Sequence, residues 1–139
     1  MSTLQRVAGQ PTWLLGLANA RAQALLAEAF AHAEMRGYHF RALAALEEHG
    51  PLSQADLSRT TGIDTSDVVA AIDRLVADGF VRRQPDKVDR RRNVISITRS
   101  GLIAVDRVGS AVDRVQDLVL GPLSETERKA FLRMLTKLT

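Results

Sequence analysis

The chain has 139 residues, of which 45% are hydrophobic and 4% aromatic, and its formal net charge at pH 7 is +3. This length favours one domain with a hydrophobic core over two independent domains. The absence of cysteine excludes disulfides, thiolate metal sites and cysteine-based redox sensing. No apolar run reaches the length needed to cross a bilayer, and the first residues lack the pattern of a secretion signal. We therefore expect a soluble, unprocessed, cytoplasmic protein.

Two helices are predicted in the first third of the chain. Pro11 or Thr12 opens a long, alanine-rich helix that ends before Gly37. A second helix is predicted from about Tyr38 to Glu48, where a His-Gly-Pro sequence ends it. Small and apolar side chains dominate both helices, which favours a role in packing.

Two shorter helices joined by a tight turn are predicted next. Ser53 is expected to cap a helix that ends near Thr60, and Asp64 to cap one that ends near Asp78, with Asp67 in the capping-box position. These lengths and the Gly-containing turn predict a helix-turn-helix. The helical period places one apolar face inward: Val68, Ile72, Leu75 and Val76. The opposite face is the one that can enter a DNA groove: Ser66, Asp67, Ala70, Asp73, Arg74 and Ala77.

A short basic β-hairpin follows. Its strands are predicted over Phe80–Gln84 and Val94–Thr98, where apolar and polar residues alternate in the second strand, and a Pro-Asp-Lys sequence begins the turn. From Arg82 to Arg92, six basic residues stand against two acidic ones, so this segment carries +4 while the whole chain carries +3. Positive charge concentrated on one small feature favours binding to a polyanion.

Two amphipathic helices complete the chain. The first is predicted from about Ser100 to Leu120, with Leu102 and Ile103 extending its apolar seam. That seam consists of valines spaced three and four residues apart: Val105, Val108, Val112, Val115 and Val119. The last helix begins at Ser124, with Glu127 completing a capping box. Its apolar side comprises Phe131, Leu132, Leu135 and Leu138. Apolar surface at both ends of the chain exceeds what a small winged module covers, which predicts a homodimer.

This order of elements resembles the MarR family of bacterial transcription regulators over nearly the whole chain. Its most specific part is Asp89-Arg90-Arg91 followed by Ile95, Ile97, Thr98 and Gly101, which is similar to the family's wing pattern. A second matching segment runs from Asp73-Arg74-Leu75 through Gly79-Phe80-Val81 to Arg83. The resemblance implies a single domain over residues 1–139, mainly α with a small β-hairpin wing. Dimerisation helices are expected at 11–36 and 101–139, and a winged helix-turn-helix module at 38–100.

The family resemblance also implies a function. A homodimer would place two recognition helices in successive major grooves of double-stranded DNA, on a pseudo-palindromic operator with half-sites about 10 bp apart. We expect a ligand-responsive repressor, although the sequence leaves activation open. Phosphate contacts are expected from Ser53, Gln54, Thr65 and Ser66. Base contacts are expected from Ser66 and Arg74, and a thymine methyl contact from Ala70.

The wing is expected to enter a minor groove. Its DNA-contacting residues are Lys87, Arg90, Arg91 and Arg92, with Arg91 as the first candidate for insertion. Asp89 is expected to pair with a neighbouring arginine and so hold the wing in shape. In the recognition helix the chain departs from the family, because Asp67, Val69 and Ala70 stand where polar or basic residues are common. Direct base readout should therefore be weaker and the contribution of the wing greater.

Other classes of function have less support. The resemblance implies a small aromatic or anionic effector near Trp13, Tyr38, His39 and Arg41. The three histidines fit no zinc spacing, and no phosphate-binding loop, nucleophile elbow or other catalytic pattern is found, so we expect no metal, no cofactor and no enzymatic activity. The remaining alternative is a winged-helix module that binds another protein and not DNA, since one fold supports both uses. The basic wing favours DNA.

Overall fold

The computed structural model describes residues 4–139. These residues form six helices and three short strands in an order that confirms the predicted, mainly α winged fold. The elements are α1 (Pro11–His32), α2 (Gly37–His49), β1 (Leu52–Ser53), α3 (Gln54–Thr61), α4 (Thr65–Ala77), β2 (Val81–Pro85), β3 (Asn93–Ile97), α5 (Arg99–Val119) and α6 (Glu125–Lys137). Within the described part of the chain, none of the helices has the length and apolar character required to span a membrane.

The chain divides into two compact units. The arm unit comprises the described residues up to Ala29 together with Val112–Thr139, and the winged unit comprises Phe30–Ala111. Both boundaries fall inside long helices, α1 and α5, so each of these helices contributes residues to both units.

The winged unit has a well-packed apolar core. Helix α2 packs on α3 and α4, and the sheet packs on the same helices. The largest fully buried side chains are aliphatic residues from five elements: Leu43, Leu46, Leu57, Val68, Ile72, Leu75, Ile95 and Val108. Burying each of them contributes about 1.5–3 kcal/mol relative to exposure. This core fixes the helix-turn-helix and the hairpin with respect to each other.

The sheet has one strand more than predicted. Strands β2 and β3 form the expected antiparallel hairpin, in which Val81 pairs with Ile97 and Pro85 with Asn93. The additional strand β1 pairs antiparallel with the other side of β3, so that Leu52 lies opposite Ile95. Two residues before a helix start are too short to give an alternating pattern, which is why the sequence did not indicate β1.

Most predicted helix ends are confirmed. Ser53 caps α3, because its Oγ accepts from the backbone N–H of Asp56 at 3.1 Å. Asp64 caps α4, and its carboxylate accepts from the backbone N–H of Ser66 at 3.2 Å. Helix α6 has the complete capping box of Ser124 and Glu127. The capping box predicted for Asp67 is wrong, since no hydrogen bond joins its carboxylate to the backbone of Asp64.

Three expected burials are also wrong, for a geometric reason. Val76 is 38% exposed because it lies about 80° around the helix from Val68, at the margin of the buried arc. Ala71, about 60° on the other side, is buried in its place. Ile103 is 62% exposed, and Leu102 is exposed too, because both lie far around α5 from the valine seam. The seam itself is buried at positions 105, 108 and 115 and half-buried at 112 and 119.

Gly101 lies in that seam at the point where α5 crosses the end of the hairpin. A Cβ at this position would collide with the carbonyl oxygen of Phe80 and lie 2.7 Å from Cγ1 of Ile97. Thr98 fixes the same junction, since its Oγ1 donates to the carbonyl of Gly79 at 2.7 Å and accepts from the N–H of Gly101 at 3.1 Å. The Thr and Gly of the wing motif are therefore packing requirements of the winged unit.

In the arm unit, arginines satisfy carbonyl groups at the end of α5 and in the turn that follows it. Arg21 of α1 donates to the carbonyls of Leu118 at 2.8 Å and Val119 at 2.9 Å. Arg128 of α6 donates through Nε to the carbonyls of Leu120 and Leu123, each at 3.2 Å. These bonds tie α1, α5 and α6 together and place positive charge at a helix C-terminus, where it is favourable.

Candidate nucleic-acid interface

The outer face of α4 is the polar face that the helical period predicted. All six of its residues are exposed: Ser66, Asp67, Ala70, Asp73, Arg74 and Ala77. Thr65, the first residue of α4, is exposed beside them, and Val69 is 37% exposed at the margin of the face. The face presents its side chains to solvent because the opposite face, with Val68, Ile72 and Leu75, is buried in the core.

Arg83 links this face to the hairpin and to the start of α3. Its Nη2 lies 2.6 Å from Oδ1 of Asp73, and its Nε donates to Oε1 of Gln54 at 3.2 Å. One guanidinium thus joins three elements: strand β2, helix α4 and the first residue of α3. Gln54, a predicted phosphate contact, is half-buried, and its side-chain oxygen is used in this link.

The wing tip, Asp86–Arg92, is a tightly bonded turn. The backbone N–H of Asp86 donates to the carbonyl of Arg92 at 2.8 Å, and the N–H of Arg92 donates to the carbonyl of Asp89 at 3.0 Å. Oδ1 of Asp86 accepts from the N–H of Val88 at 2.8 Å, and Val88 is 96% exposed. The tip therefore has a defined shape despite its exposure.

Asp89 makes the contact with a neighbouring arginine that was expected of it. Its carboxylate accepts from the backbone N–H and from Nε of Arg91, both at 3.1 Å, and from Nη2 at 3.3 Å. The hydrogen bond from the Arg91 side chain is the main cause of the lowered pKa of Asp89, and the bond from the Arg91 backbone adds to it. The Arg91 guanidinium is thereby oriented while its side chain stays almost fully exposed.

The remaining basic side chains of the wing tip, on Lys87, Arg90 and Arg92, are exposed. Arg92 also approaches α3, with its Nη2 4.0 Å from Oδ2 of Asp56. Asp56 pairs in addition with Arg59, and its pKa is lowered chiefly by hydrogen bonding with Ser53. The cations of the tip thus stand on the same winged unit as the outer face of α4, and Arg83 and Arg92 both connect hairpin residues to the helix-turn-helix.

Two predicted donors on α4 are held by neighbouring carboxylates. The Ser66 hydroxyl donates to Asp64, and this bond is the main cause of the lowered pKa of Asp64. Nε of Arg74 lies 3.0 Å from Oδ2 of Asp78, one turn further along the helix. Asp67, in contrast, forms neither a hydrogen bond nor an ion pair with any residue from 4 to 139.

Ser53 does not have the exposure that a phosphate contact requires. Its side chain is buried, and its Oγ is occupied by the cap of α3. Ser53 is the second residue of β1 as well as the cap of α3, so we leave its side chain out of the phosphate contacts proposed below.

The four predicted effector-binding residues do not form one cluster within a single unit. Trp13 belongs to the arm unit, and the other three belong to the winged unit. Arg41 donates to the carbonyl of Thr61 at 2.9 Å, at the end of α3, and its guanidinium carbon lies 5.6 Å from the ring centre of Tyr38. His39 is half-buried, and its Nδ1 accepts from the backbone N–H of Arg36 at 3.4 Å. Burial is the main cause of the lowered pKa of His39, and the nearby arginines 36 and 74 lower it further.

Comparison with known proteins identifies relatives of one kind. Residues 35–92 match the model of the MarR family. The HTH-type transcriptional repressor NicR of Pseudomonas putida is 32% identical over 125 residues, which are 90% of this chain and 79% of that protein.

Solved structures show the same fold. BpsR of Bordetella bronchiseptica, whose DNA binding is described as regulated by 6-hydroxynicotinic acid, superposes with a TM-score of 0.83 and 27% identity over 94% of each chain. A mutant of MarR from Escherichia coli in complex with operator DNA superposes with a TM-score of 0.81 over 99% of each chain. Its identity of 20% supports the likeness of fold alone.

Proposed function

The chain belongs to the MarR family of DNA-binding transcription regulators, and on this basis we propose that it is a ligand-responsive repressor that acts in the cytoplasm. In this proposal a homodimer binds a pseudo-palindromic operator, with α4 as the recognition helix and the wing tip against the flanking minor groove. Repression is favoured over activation because NicR, a relative that matches most of the chain, is named as a repressor.

One observation carries the DNA-binding geometry. The outer face of α4 and the basic wing tip belong to the same winged unit, and Arg83 bonds strand β2 to both Asp73 and Gln54. A helix with an exposed polar face suits the major groove, and cations on a narrow turn suit a minor groove, whose negative potential attracts them. The proposed contacts are those predicted from the sequence without Ser53: Gln54, Thr65, Ser66, Ala70, Arg74, Lys87, Arg90, Arg91 and Arg92.

The proposal of a homodimer rests on the arm unit. Helices α1 and α6 line an apolar groove of about 380 Å³. Its walls are formed by Pro11, Leu14, Leu15, Ala18, Phe131, Met134, Leu135 and Leu138. Most of these side chains are exposed in the single chain, and an exposed apolar groove of this kind favours burial against another protein. A second copy of the chain is the partner we propose, because two recognition helices are needed for a palindromic site.

The proposal of an effector rests on BpsR, a similar structure whose ligand is named. By analogy we propose that a small aromatic acid binds this chain and lowers its affinity for DNA, as differential binding to two conformations requires. Tyr38, His39 and Arg41 offer an aromatic ring, an imidazole and a cation within four residues of α2.

The test combines mass and binding. Light scattering should give the mass of two chains, and fluorescence anisotropy with DNA from upstream of the protein's own gene should show saturable binding that resists non-specific competitor. Titration with 6-hydroxynicotinic acid and related aromatic acids should then release the DNA. A dimer that binds no DNA at any salt concentration would support the protein-interaction module instead, and tight binding that no aromatic acid weakens would refute the effector.

A further inference from the structure

On the outer face of α4, Ser66 and Arg74 can donate hydrogen bonds to bases, and each already has one donor bonded to a neighbouring carboxylate. The Ser66 hydroxyl donates to the carboxylate of Asp64, and Nε of Arg74 donates to the carboxylate of Asp78, one turn further along the helix. Asp73 is engaged by Arg83 from the hairpin. Of the charged side chains on this face, Asp67 alone has no partner among residues 4–139. A recognition helix with these constraints presents an acceptor where donors are usual.

The position of Asp67 is the one from which a recognition helix reads bases. It is the third residue of α4, and residues near the N-terminus of a recognition helix contact base edges in the major groove. The carboxylate is exposed, and the absence of a capping box leaves it free to point away from the helix end. An aspartate at position 67 could have a structural role in capping the helix. In this chain Asp64 provides the cap instead.

A carboxylate selects among the four bases by its chemistry. It only accepts hydrogen bonds, and in the major groove cytosine presents N4 as a donor without an adjacent acceptor on the same base. Guanine presents the acceptors O6 and N7 and thymine presents O4, and these acceptors repel a carboxylate. Adenine presents a donor, its amino group, beside the acceptor N7, a pair that an amide matches better than a carboxylate does. We infer that Asp67 recognises cytosine in each half-site of the operator, an inference that rests on the proposed function.

The neighbouring side chains complete this pattern. Ala70 lies on the outer face of α4, and Val69 is exposed at the margin of that face away from Asp67. Both side chains end in methyl groups, which suit contact with the thymine C5 methyl. The recognition helix would then read pyrimidines, by an acceptor for cytosine and by apolar contact for thymine. A negative charge near phosphates also weakens binding to every DNA sequence. Asp67 therefore lowers the overall affinity for DNA while it raises the preference for sites with cytosine.

The experiment is selection of binding sites from a randomised DNA duplex with the full-length protein and three variants. Asp67→Ala removes the carboxylate, and Asp67→Asn replaces it with an amide that pairs well with adenine. Asp113→Asn is the matched control, because it makes the same charge change at an exposed position of α5 that belongs to the arm unit. Circular dichroism of each variant checks that the helical fold is kept.

We expect the wild-type and Asp113→Asn proteins to select sites with one cytosine common to both half-sites. Asp67→Ala should select sites without preference at that position, and Asp67→Asn should enrich adenine there. Replacing the selected C·G pair should weaken wild-type binding by roughly fivefold to a hundredfold and leave Asp67→Ala unaffected. Binding of Asp67→Ala to random DNA should be stronger than that of the wild type.

The two ways of failing are distinguishable. If the wild type enriches no sequence, sequence-specific binding itself is wrong, and the inference fails with it. If the wild type enriches a palindromic site and Asp67→Ala retains the same cytosine, the proposed function stands and the role of Asp67 is overturned.

Discussion

Replacing Arg83 should destabilise the winged unit, whereas replacing its neighbour Arg82 should not. The two arginines are adjacent on β2, but successive strand residues point to opposite faces of the sheet. Arg83 faces the helices and is 28% exposed, with bonds to Asp73 and Gln54. Arg82 is exposed, and no hydrogen bond or ion pair joins its side chain to another described residue. The pair therefore separates the effect of the contacts from the effect of one lost charge.

The size of the effect follows from the exposure of the partners. Asp73 is 60% exposed, so solvent screening limits its ion pair with Arg83 to about 0.5–1 kcal/mol. The hydrogen bond from the charged guanidinium to Gln54 adds about 1 kcal/mol. We therefore expect Arg83→Ala to lower the free energy of unfolding by about 1–2 kcal/mol, and Arg82→Ala to change it by less than about 0.5 kcal/mol.

Urea denaturation followed by circular dichroism measures both values at one fixed protein concentration, since the stability of a dimer depends on concentration. Asp73→Ala and the double variant with Arg83→Ala complete a double-mutant cycle that isolates the ion pair. Equal decreases in the free energy of unfolding for Arg82→Ala and Arg83→Ala would refute the reasoning, because the loss of one positive charge would then explain both decreases. A coupling energy near zero would show that Arg83 does not join α4 to the hairpin.

Three further predictions concern the wing, pH and the hairpin junction. Arg90→Ala should weaken DNA binding and reduce the slope of log affinity against log salt concentration by about one unit, measured by anisotropy over a salt series; an unchanged slope would remove Arg90 from the phosphate contacts. The pKa of His39 is lowered in the folded state, so as the pH falls His39 is protonated in the unfolded state before it is protonated in the folded state. The free energy of unfolding should therefore decrease as the pH falls below the ordinary value of 6.5. In His39→Asn, stability should depend less on pH in this range. Thermal melts of both proteins from neutral to acidic pH measure the difference. Gly101→Ala should cost about 1–3 kcal/mol or more in urea denaturation, because the new methyl group collides with the Phe80 carbonyl; a loss below 0.5 kcal/mol, within about the range of surface substitutions, would contradict the described junction.

Periodicity and capping residues were sufficient to predict the elements of the fold. The helix ends expected near Thr60 and Asp78 are confirmed, because Gly62 and Gly79, which follow them, adopt positive φ, where glycine is favoured. The burial of individual residues at the margins of a face was less predictable. Val76 and Leu102 are apolar and follow a helical spacing, but each lies outside the arc that the neighbouring elements cover. That arc is set by tertiary packing, which local sequence does not record.

The candidate interface was predictable in outline, because charge and helix position are properties of the sequence. The pairing of Asp89 with Arg91 follows from residues two apart in a turn, and it was expected. Arg83 bonds Asp73, ten positions before it, and Gln54, twenty-nine positions before it. Contacts over such separations depend on the tertiary fold, so the sequence did not predict them. The burial of Ser53 in β1 was also not predicted from the sequence. Nor was the lack of a capping contact at Asp67, which follows from Asp64 capping the helix.

The most direct test of the central claim is fluorescence anisotropy with DNA from upstream of the protein's own gene, with excess non-specific competitor and a salt series. We expect saturable binding that survives the competitor, weakens steeply with salt, and is reduced when Arg90 or Arg91 is replaced by alanine. Binding that the competitor abolishes, or that does not depend on salt, would contradict sequence-specific recognition through α4 and the wing.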